Sequence, residues 1–268
     1  MIKKYYCFFK LRFATGLQYR MASVTALTTQ LIWGLMECLL FKAVAEASGG
    51  ALPMNYPSIV TYIWLKESLY VLFNTWAADN DLFAMITNGD IAYELCRPLS
   101  IYSMWFSRMT GARISEALLR CIPVLVCSFL MPKTYRMTLP VNGTAFLFFL
   151  LTLLLALGIT ISFCMLVYML CLFTVSPQGW RMVLTGAVEF LSGNIIPLPF
   201  FPKKYLFLVE LSPFAYMQNV PYRIYSGDLS GAAMYPYIGK QIFWLAALVT
   251  AGIVVWRRAA QRVIVQGG

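Results

Sequence analysis

The sequence predicts an all-α integral membrane protein. About six transmembrane helices are expected, with an N-terminal interfacial helix and both termini in the cytoplasm. Of the 268 residues, 60% are hydrophobic and 12% are charged, whereas soluble domains carry about 25% charged residues. The mean hydropathy is +0.70, and the apolar residues fall into runs of roughly 20, the length that crosses a bilayer. A soluble chain of this composition could not cover its own surface with polar groups.

Residues 1–21 are predicted to form an amphipathic helix that lies in the cytoplasmic interface. Basic residues there alternate with apolar residues at helical spacing. The basic residues are Lys3, Lys4, Lys10, Arg12 and Arg20, and the apolar residues are Tyr6, Phe9, Phe13 and Leu17. A plain basic flank of the first span is an alternative that the same residues allow.

Residues 22–258 are predicted to form the transmembrane domain, and residues 259–268 a cytoplasmic tail. The apolar runs lie near 22–45, 58–78, 114–131, 143–174, 180–196 and 237–256. At ~1.5 Å per residue the fourth run exceeds a hydrocarbon core of ~30 Å, so this helix must tilt or project beyond the lipid.

The segment 197–225, before the last span, is predicted to be re-entrant. Prolines interrupt it too often for one continuous span, yet it is too apolar for a free loop. Two short helices that dip into the membrane and return satisfy both facts. The residues expected to shape this outer segment are Gly193, Pro197, Pro202 and Pro213. An aromatic loop on the membrane interface is the alternative.

Basic residues set the predicted orientation. They are more numerous on the side of the N-terminus, which places both termini inside and requires an even number of spans. The net charge of +10 follows from the same rule, because these residues flank apolar spans and do not form a polar face for nucleic acid. No nucleic-acid partner is expected.

Four charged residues fall within predicted spans: Glu37, Lys66, Glu67 and Glu189. A charge in lipid is costly, so each of them is a functional hypothesis. Residues one apart do not face each other on a helix, so Lys66 and Glu67 are expected to pair with other helices or to line an aqueous path. Ion pairing between helices and proton-coupled transport both remain open.

The polar segment 79–112 follows the second predicted span. Asp81 suits a helix N-cap, and a helix from Leu82 to Arg97-Pro98 would place Phe83, Ile86 and Asp90 on one side. Gly89 would allow another backbone to approach closely. A short helix of mixed charge with an apolar edge is suited to docking onto a partner. A plain connecting loop is the alternative.

Several kinds of chemistry are excluded by composition. The chain has no histidine, which rules out a histidine triad, a histidine metal site or a histidine proton relay. Its only Gly-Lys pair, Gly239-Lys240, is followed by Gln241, so there is no phosphate-binding P-loop. No nucleophile–base pair is visible either. We expect no catalytic residue, no metal and no cofactor in this chain.

Four stretches together resemble the permease subunits of ABC type-2 exporters, in the branch with compact six-span subunits. The stretches are Phe9–Arg20, Gln30–Gly34, Ile86–Leu99, and Leu191–Leu198 with Phe201-Pro202, Leu211–Phe214, Pro221 and Tyr225–Gly227. The likeness covers nearly the whole chain. It rests on the order and spacing of these stretches and not on a single specific motif.

The resemblance implies a transport subunit and not an enzyme. Such subunits pair with a second permease, as homodimers or heterodimers, and two separate ATP-binding subunits that carry ATP and Mg dock from the cytoplasm. The coupling residues would be Ile86, Gly89, Asp90, Glu94, Arg97 and Pro98. The cargo of this family includes drugs, lipids, glycans and peptides; the aromatic content here suits an amphipathic or hydrophobic cargo.

Localisation in the bacterial plasma membrane is expected on the same basis. A secondary carrier driven by protons or ions through Glu37, Lys66, Glu67 and Glu189 is the alternative from a different class. A structural or assembly subunit without cargo of its own is a third possibility.

Overall fold

The computed structural model describes residues 2–18, 20–75, 80–88, 90–173 and 177–261, and every regular element within these ranges is helical. The α-helices are α1 (Ile2–Gly16), α2 (Arg20–Ala47), α3 (Tyr56–Phe73), α4 (Asn80–Thr87), α5 (Ile91–Leu95), α6 (Ile101–Leu130), α7 (Gly143–Cys171), α8 (Pro177–Leu191), α9 (Lys203–Glu210), α10 (Asn219–Tyr225) and α11 (Met234–Ala260). Short 3₁₀ turns cover Leu198–Phe200, Phe214–Tyr216 and Gly231–Ala233.

The long helix α7 lies at the centre of the bundle. It packs along α11 on one side and along the short helix α10 on another. A second layer consists of α6 with α1 and α3, and α2 closes against α3 and α6. Because α7 is apolar around its whole circumference, with Ile159, Ile161 and Met165 all buried, it can be surrounded by neighbouring helices.

Three helical stretches in the described part of the chain are long and apolar enough to cross a membrane. They are Thr25–Ala47, Gly143–Cys171 and Gly231–Ala260; Met182–Leu191 within α8 is apolar but shorter. The charges Lys66 and Glu67 lower the hydropathy of α3, and Arg113, Glu116 and Arg120 lower that of α6. The structure supports an all-helical membrane protein, and the count of six crossings remains a prediction.

Helix α6, which contains the third predicted span, begins much earlier than the apolar run of that span. The predicted span is 114–131, whereas α6 starts at Ile101 after the N-cap Ser100, whose hydroxyl accepts a hydrogen bond from the amide of Ser103 at 3.5 Å. Residues 101–112 therefore belong to α6 and not to a connecting segment. Polar and charged residues such as Arg108 mask this half of the helix in a hydropathy profile.

The single helix expected from Leu82 to Arg97 is wrong, because two helices, α4 and α5, occupy this stretch. Asp81 lies inside the first turn of α4 and is not its N-cap. Asn88 and Asp90 lie between the two helices, and these residue types favour turns. Gly89 lies outside the described residues.

The outer segment is broken into short helices, and three prolines mark where these begin. Pro197, Pro202 and Pro213 each directly precede a helical element, where a missing amide hydrogen costs little. The preceding helix α8 ends at Leu191 and not near residue 196, because Gly193 has a φ of +86°, which a continuing helix does not allow. Whether these short helices lie at membrane depth remains a prediction.

Candidate functional site: a buried charge network and its two flanking segments

A buried network of ion pairs joins α2, α3 and the loop after α8. The Lys66 ammonium on α3 donates to the Glu37 carboxylate on α2 and, at 3.0 Å, to the backbone carbonyl of Asn194. The Glu67 carboxylate lies 3.4 Å from the same ammonium. Lys66 is only 4% exposed and Glu67 only 7%. One cation therefore holds three separate parts of the chain together.

Lys66 and Glu67 were expected to pair with groups on other helices or to line an aqueous path, and the structure adds a contact between the two. They contact each other, because the flexible stem of a lysine can carry its ammonium group back toward the side chain next to it. The expected pairing with another helix, through Glu37, is present as well.

Glu189 joins the network through a residue that was not among the predicted site residues. The Asn194 side-chain amide donates to the Glu189 carboxylate, while the Asn194 carbonyl accepts from Lys66. The four charged residues singled out in the sequence are thus connected. A hydropathy profile gives no signal for Asn194; only its place just after the helix break at Gly193 points to it.

Arg113 of α6 was also missed as a site residue. Its guanidinium is buried, at 7% exposure, and donates to the carbonyls of Val71 at 3.3 Å and Leu72 at 2.9 Å in the last turn of α3. Its second amino group lies 3.5 Å from the Cys164 sulfur on α7. A cation at a helix C-terminus satisfies carbonyls that have no partner within the helix. Arg113 therefore fixes the end of α3 against α6 and α7.

The two short helices α4 and α5 form an irregular segment between α3 and α6. Leu82 is fully buried and Ile91 is 3% exposed, so each helix is anchored by one apolar side chain. The Phe83 ring lies 4.7 Å from that of Tyr168 on α7. A displacement of α4 would therefore press directly on the central helix.

The stretch 90–98, which contains α5, includes four of the predicted coupling residues. Asp90, Arg97 and Pro98 are exposed, Ile86 and Glu94 are half-buried, and Arg97 forms an ion pair with Glu94 at 3.4 Å. Tyr93, which was not among the predicted residues, is 76% exposed. Glu94 and Arg97 line one groove together with Arg12 of α1, whereas Ile86 packs against the core and Gly89 is outside the described residues.

The N-terminal helix α1 is tied to this segment by an aspartate between two arginines. Arg12 of α1 and Arg108 of α6 reach the same Asp81 carboxylate oxygen at 3.1 and 2.9 Å. The hydrogen bond from Arg12 and the neighbouring positive charge of Arg108 hold the pKa of Asp81 below its ordinary value. At Gly111 a Cβ atom would lie 2.5 Å from the Phe9 carbonyl, so α1 lies directly on α6.

The opposite end of the network is held by Tyr62 of α3. Its hydroxyl lies 3.1 Å from the Gly193 carbonyl and 3.3 Å from the Asn219 side-chain oxygen. The Gln218 amide donates to the Ser192 hydroxyl at 2.6 Å. Of the predicted residues of this outer segment, Gly193 and Pro197 are buried here, whereas Pro213 is half-buried and Pro202 is exposed.

Grouped metal ligands are not found among the described residues. Within the residues that the structure describes, no three histidine, cysteine, aspartate or glutamate side chains are grouped as a metal site requires. What the network can do is join or release helices, because the contacts of Lys66 with Glu37 and with the Asn194 carbonyl cross from one element to another.

Comparison with known proteins assigns the chain to a family. The model of the ABC-2 family transporter protein matches residues 29–267, which covers α3 to α11 and most of α2. A search of curated proteins finds no match. The matched region contains the charge network and both flanking segments, and the chain therefore belongs to the ABC-2 transporter family, whose members are membrane components of transport systems and not enzymes.

Proposed function

We propose that this chain is the permease subunit of an ATP-driven exporter. It forms the path for an amphipathic or hydrophobic cargo, pairs with a second permease and is driven by two separate ATP-binding subunits at the bacterial plasma membrane. Membership of the ABC-2 family supports the transport role. The observation that carries the proposal is the surface of α4 and α5, which is anchored inside the bundle and exposes Tyr93 and Arg97.

This surface suits a partner that pushes on the bundle. Tyr and Arg are favoured at protein interfaces because they offer both apolar contact and hydrogen bonding. The contact of Phe83 with Tyr168 would pass a movement of α4 to α7. The link from Arg12 through Asp81 to Arg108 would carry α1 along with it.

A face of α8 supports the second permease. Met182 and Val183 are 67% and 69% exposed, and at Gly186 a Cβ atom would meet no other atom within 4 Å. In membranes, helices associate closely where small residues let their backbones approach. We assign this face to the second permease, whether that is another copy of this chain or a related one.

Co-purification from native membranes tests the proposal. The tagged chain should recover an ATP-binding subunit and a second permease, and the recovered complex should hydrolyse ATP while the chain alone does not. A photoreactive p-benzoylphenylalanine in place of Val183 should crosslink to the second permease. The exporter assignment would be overturned by repeated pull-downs that recover no ATP-binding subunit.

A secondary carrier is the second candidate, and the buried network favours it. Lys66 contacts two carboxylates directly and reaches Glu189 through Asn194, and linked carboxylates are the usual route of proton-coupled transport. Transport that continues after ATP depletion but stops when the proton gradient is collapsed would support the carrier. Transport with the opposite dependence would support the exporter.

A further inference from the structure

An apolar groove lies between the end of α8 and α9. It has a volume of about 450 Å³, within the range of roughly 300–1,000 Å³ that small-molecule sites occupy. Apart from the Tyr205 hydroxyl, its lining side chains carry no polar group. They include Phe190, Ile196, Phe201, Tyr205 and Leu208.

The groove has fixed walls and an open side. The rings of Phe190 and Phe201 meet edge to face at 5.5 Å, and the Phe200 ring packs on Phe41 of α2 at 5.0 Å. Val209 is 6% exposed and closes the inner side, whereas Leu208 is 61% exposed at the rim. An elongated apolar group could therefore enter from the side and find a shaped surface.

The mouth of the groove is positively charged. Lys203 and Lys204 begin α9, directly after the lining residue Pro202, and both are exposed. The Lys204 ammonium lies 5.8 Å from the centre of the Tyr205 ring, which itself lines the groove. The stretch 195–209 contains no acidic residue, and Glu210, which ends α9, accepts a hydrogen bond from the Tyr237 hydroxyl at 3.1 Å.

We propose that this groove binds an anionic amphiphile, with one acyl chain along the apolar walls and the acidic head group at Lys203 and Lys204. The apolar groove binds the acyl chain because binding removes it from water or from lipid head groups. The two lysine ammonium groups select an anionic head group over a cationic one. The same chemistry is present in an anionic bilayer lipid and in a fatty-acid-like cargo. If the occupant is cargo, the inference rests on the proposed export function and names its substrate class.

The groove is also adjacent to the charge network. Leu191 and Ile196, which both line it, flank the loop in which the Asn194 carbonyl is held by Lys66. An occupant of the groove would therefore press on the loop that the network anchors.

Photolabelling of the full-length chain in nanodiscs of phosphatidylcholine tests the proposal. The probe is a palmitate with a diazirine on its chain, and its matched control carries the same chain with a trimethylammonium head. The palmitate should label the peptide 196–209 about five-fold more strongly than its cationic control, as expected for an exposed ionic contact. Equal labelling by the two probes would overturn the role of the lysines.

Variants distinguish the part of the groove that binds the acyl chain from the lysines that bind the head group. Leu208→Trp fills the groove and should reduce labelling by about tenfold, whereas Leu147→Trp, at an exposed apolar position of α7 with 67% exposure, should leave it unchanged. Phe201→Ala provides a second disruption if Leu208→Trp is not monodisperse. The double change Lys203→Glu with Lys204→Glu should invert the preference between the probes. Labelling that all these variants leave intact would reject the groove.

Two further arms identify the occupant. If phosphatidylglycerol added to the nanodiscs displaces the probe, the site binds bilayer lipid; if only soluble palmitate displaces it, the site binds cargo. A p-benzoylphenylalanine at position 208 should crosslink to lipid, and a crosslink to a second permease would show that protein covers the groove and would overturn the proposal. Labelling needs no ATP-binding subunit, so this inference and the exporter assignment fail separately.

Discussion

The ammonium group of Lys66 on α3 donates a hydrogen bond to the carboxylate of Glu37 on α2, inside a bundle where neither side chain is freely solvated. The same ammonium group contacts Glu67 and the Asn194 carbonyl. The pair therefore holds α2, α3 and the loop after α8 in a single arrangement. A subunit that must open and close a path needs contacts of this kind, which can be broken as a unit.

Removing the cation from this network should destabilise the chain strongly. Lys66→Met leaves the Glu37 and Glu67 carboxylates buried without a cation, and breaking a buried pair from one side costs about 3–5 kcal/mol. The melting temperature in detergent should fall accordingly. Lys42→Met is the matched control, because the ion pair of Lys42 with Glu46 at 3.9 Å is exposed and worth about 1 kcal/mol or less, and its other contact is with the Tyr135 side chain.

The double variant Glu37→Gln with Lys66→Met gives the sharper result. Because the double variant removes both charges of the Glu37–Lys66 pair, its melting temperature should lie between those of Lys66→Met and the wild type. A double variant that melts lower than Lys66→Met alone would show that the two side chains do not act as a pair.

The Arg113 contacts predict that lysine cannot replace arginine at this position. The guanidinium donates through Nη1 to the carbonyls of both Val71 and Leu72, and its Nη2 reaches the Cys164 sulfur. A lysine ammonium lacks the second amino group of the planar fork and cannot make both sets of contacts. Arg113→Lys and Arg113→Met should each lower stability, by about 1–3 kcal/mol for the buried groups left unpaired. Thermal melting and amide exchange in the last turn of α3 measure the effect. Exchange there that stays at the wild-type rate in both variants would contradict the capping role.

Gly193 should not tolerate a side chain. Its φ is +86°, and a Cβ atom would lie 2.8 Å from the Tyr62 hydroxyl oxygen. Gly193→Ala should therefore cost about 1–3 kcal/mol, seen as a lower melting temperature. Gly239→Ala is the control, because Gly239 lies within α11 with no atom within 4 Å of a built Cβ, and alanine there should stabilise by about 0.5–1 kcal/mol.

Combining Gly193→Ala with Tyr62→Phe separates the two causes. Tyr62→Phe alone loses the hydrogen bonds of the hydroxyl and is the reference. Against this reference Gly193→Ala should cost less than in the wild type, because the steric contact is gone, but should still cost stability, because the backbone strain remains. The absence of any remaining cost would mean that the positive φ does not constrain this position.

The tie between α1 and α4 should be insensitive to pH in the physiological range. Hydrogen bonding from Arg12 lowers the folded-state pKa of Asp81 below 3.8, so the stabilisation is complete above that value and is lost only as the pH falls through the lower folded pKa. The protection factors of the α1 amides, which correct for the pH dependence of intrinsic exchange, should be unchanged between pH 8 and pH 5. Asp81→Asn should lower them at both values, whereas Asp228→Asn, in the outer segment, should not. A change in the wild type within this range would assign control of α1 to another group.

The sequence predicted the most apolar helices well, because their signal comes from composition alone. Helix α7, Gly143–Cys171, nearly matches the predicted run 143–174. Helix α11, Met234–Ala260, contains the predicted run 237–256. The breaks at Pro197 and Pro202 were also predicted, since proline acts locally on the backbone.

What the sequence could not predict depends on partners that are distant along the chain. The first half of α6 was assigned to a connection because Arg108 and Arg113 read as polar, yet their charges are met by Asp81 and by the end of α3. Asn194 was not assigned to the charge network because nothing near it in sequence shows that Lys66 reaches its carbonyl. Tertiary pairing determines both.

The exposed Arg97, just after α5, gives the most direct test of coupling. Arg97→Glu reverses the charge on the surface proposed to meet the ATP-binding subunit and places it beside Glu94, its present ion-pair partner. Like charges across an interface disfavour the complex, so ATP-dependent uptake of an amphipathic dye into inverted vesicles, which is the export direction, should fall by about tenfold, while membrane insertion and melting temperature change little. Arg136→Glu, at an exposed position between α6 and α7, is the control and should transport normally.

Gly89→Trp should act like Arg97→Glu if residue 89 faces the same partner. Wild-type export by both Arg97→Glu and Gly89→Trp would show that the energy of ATP hydrolysis enters the chain elsewhere.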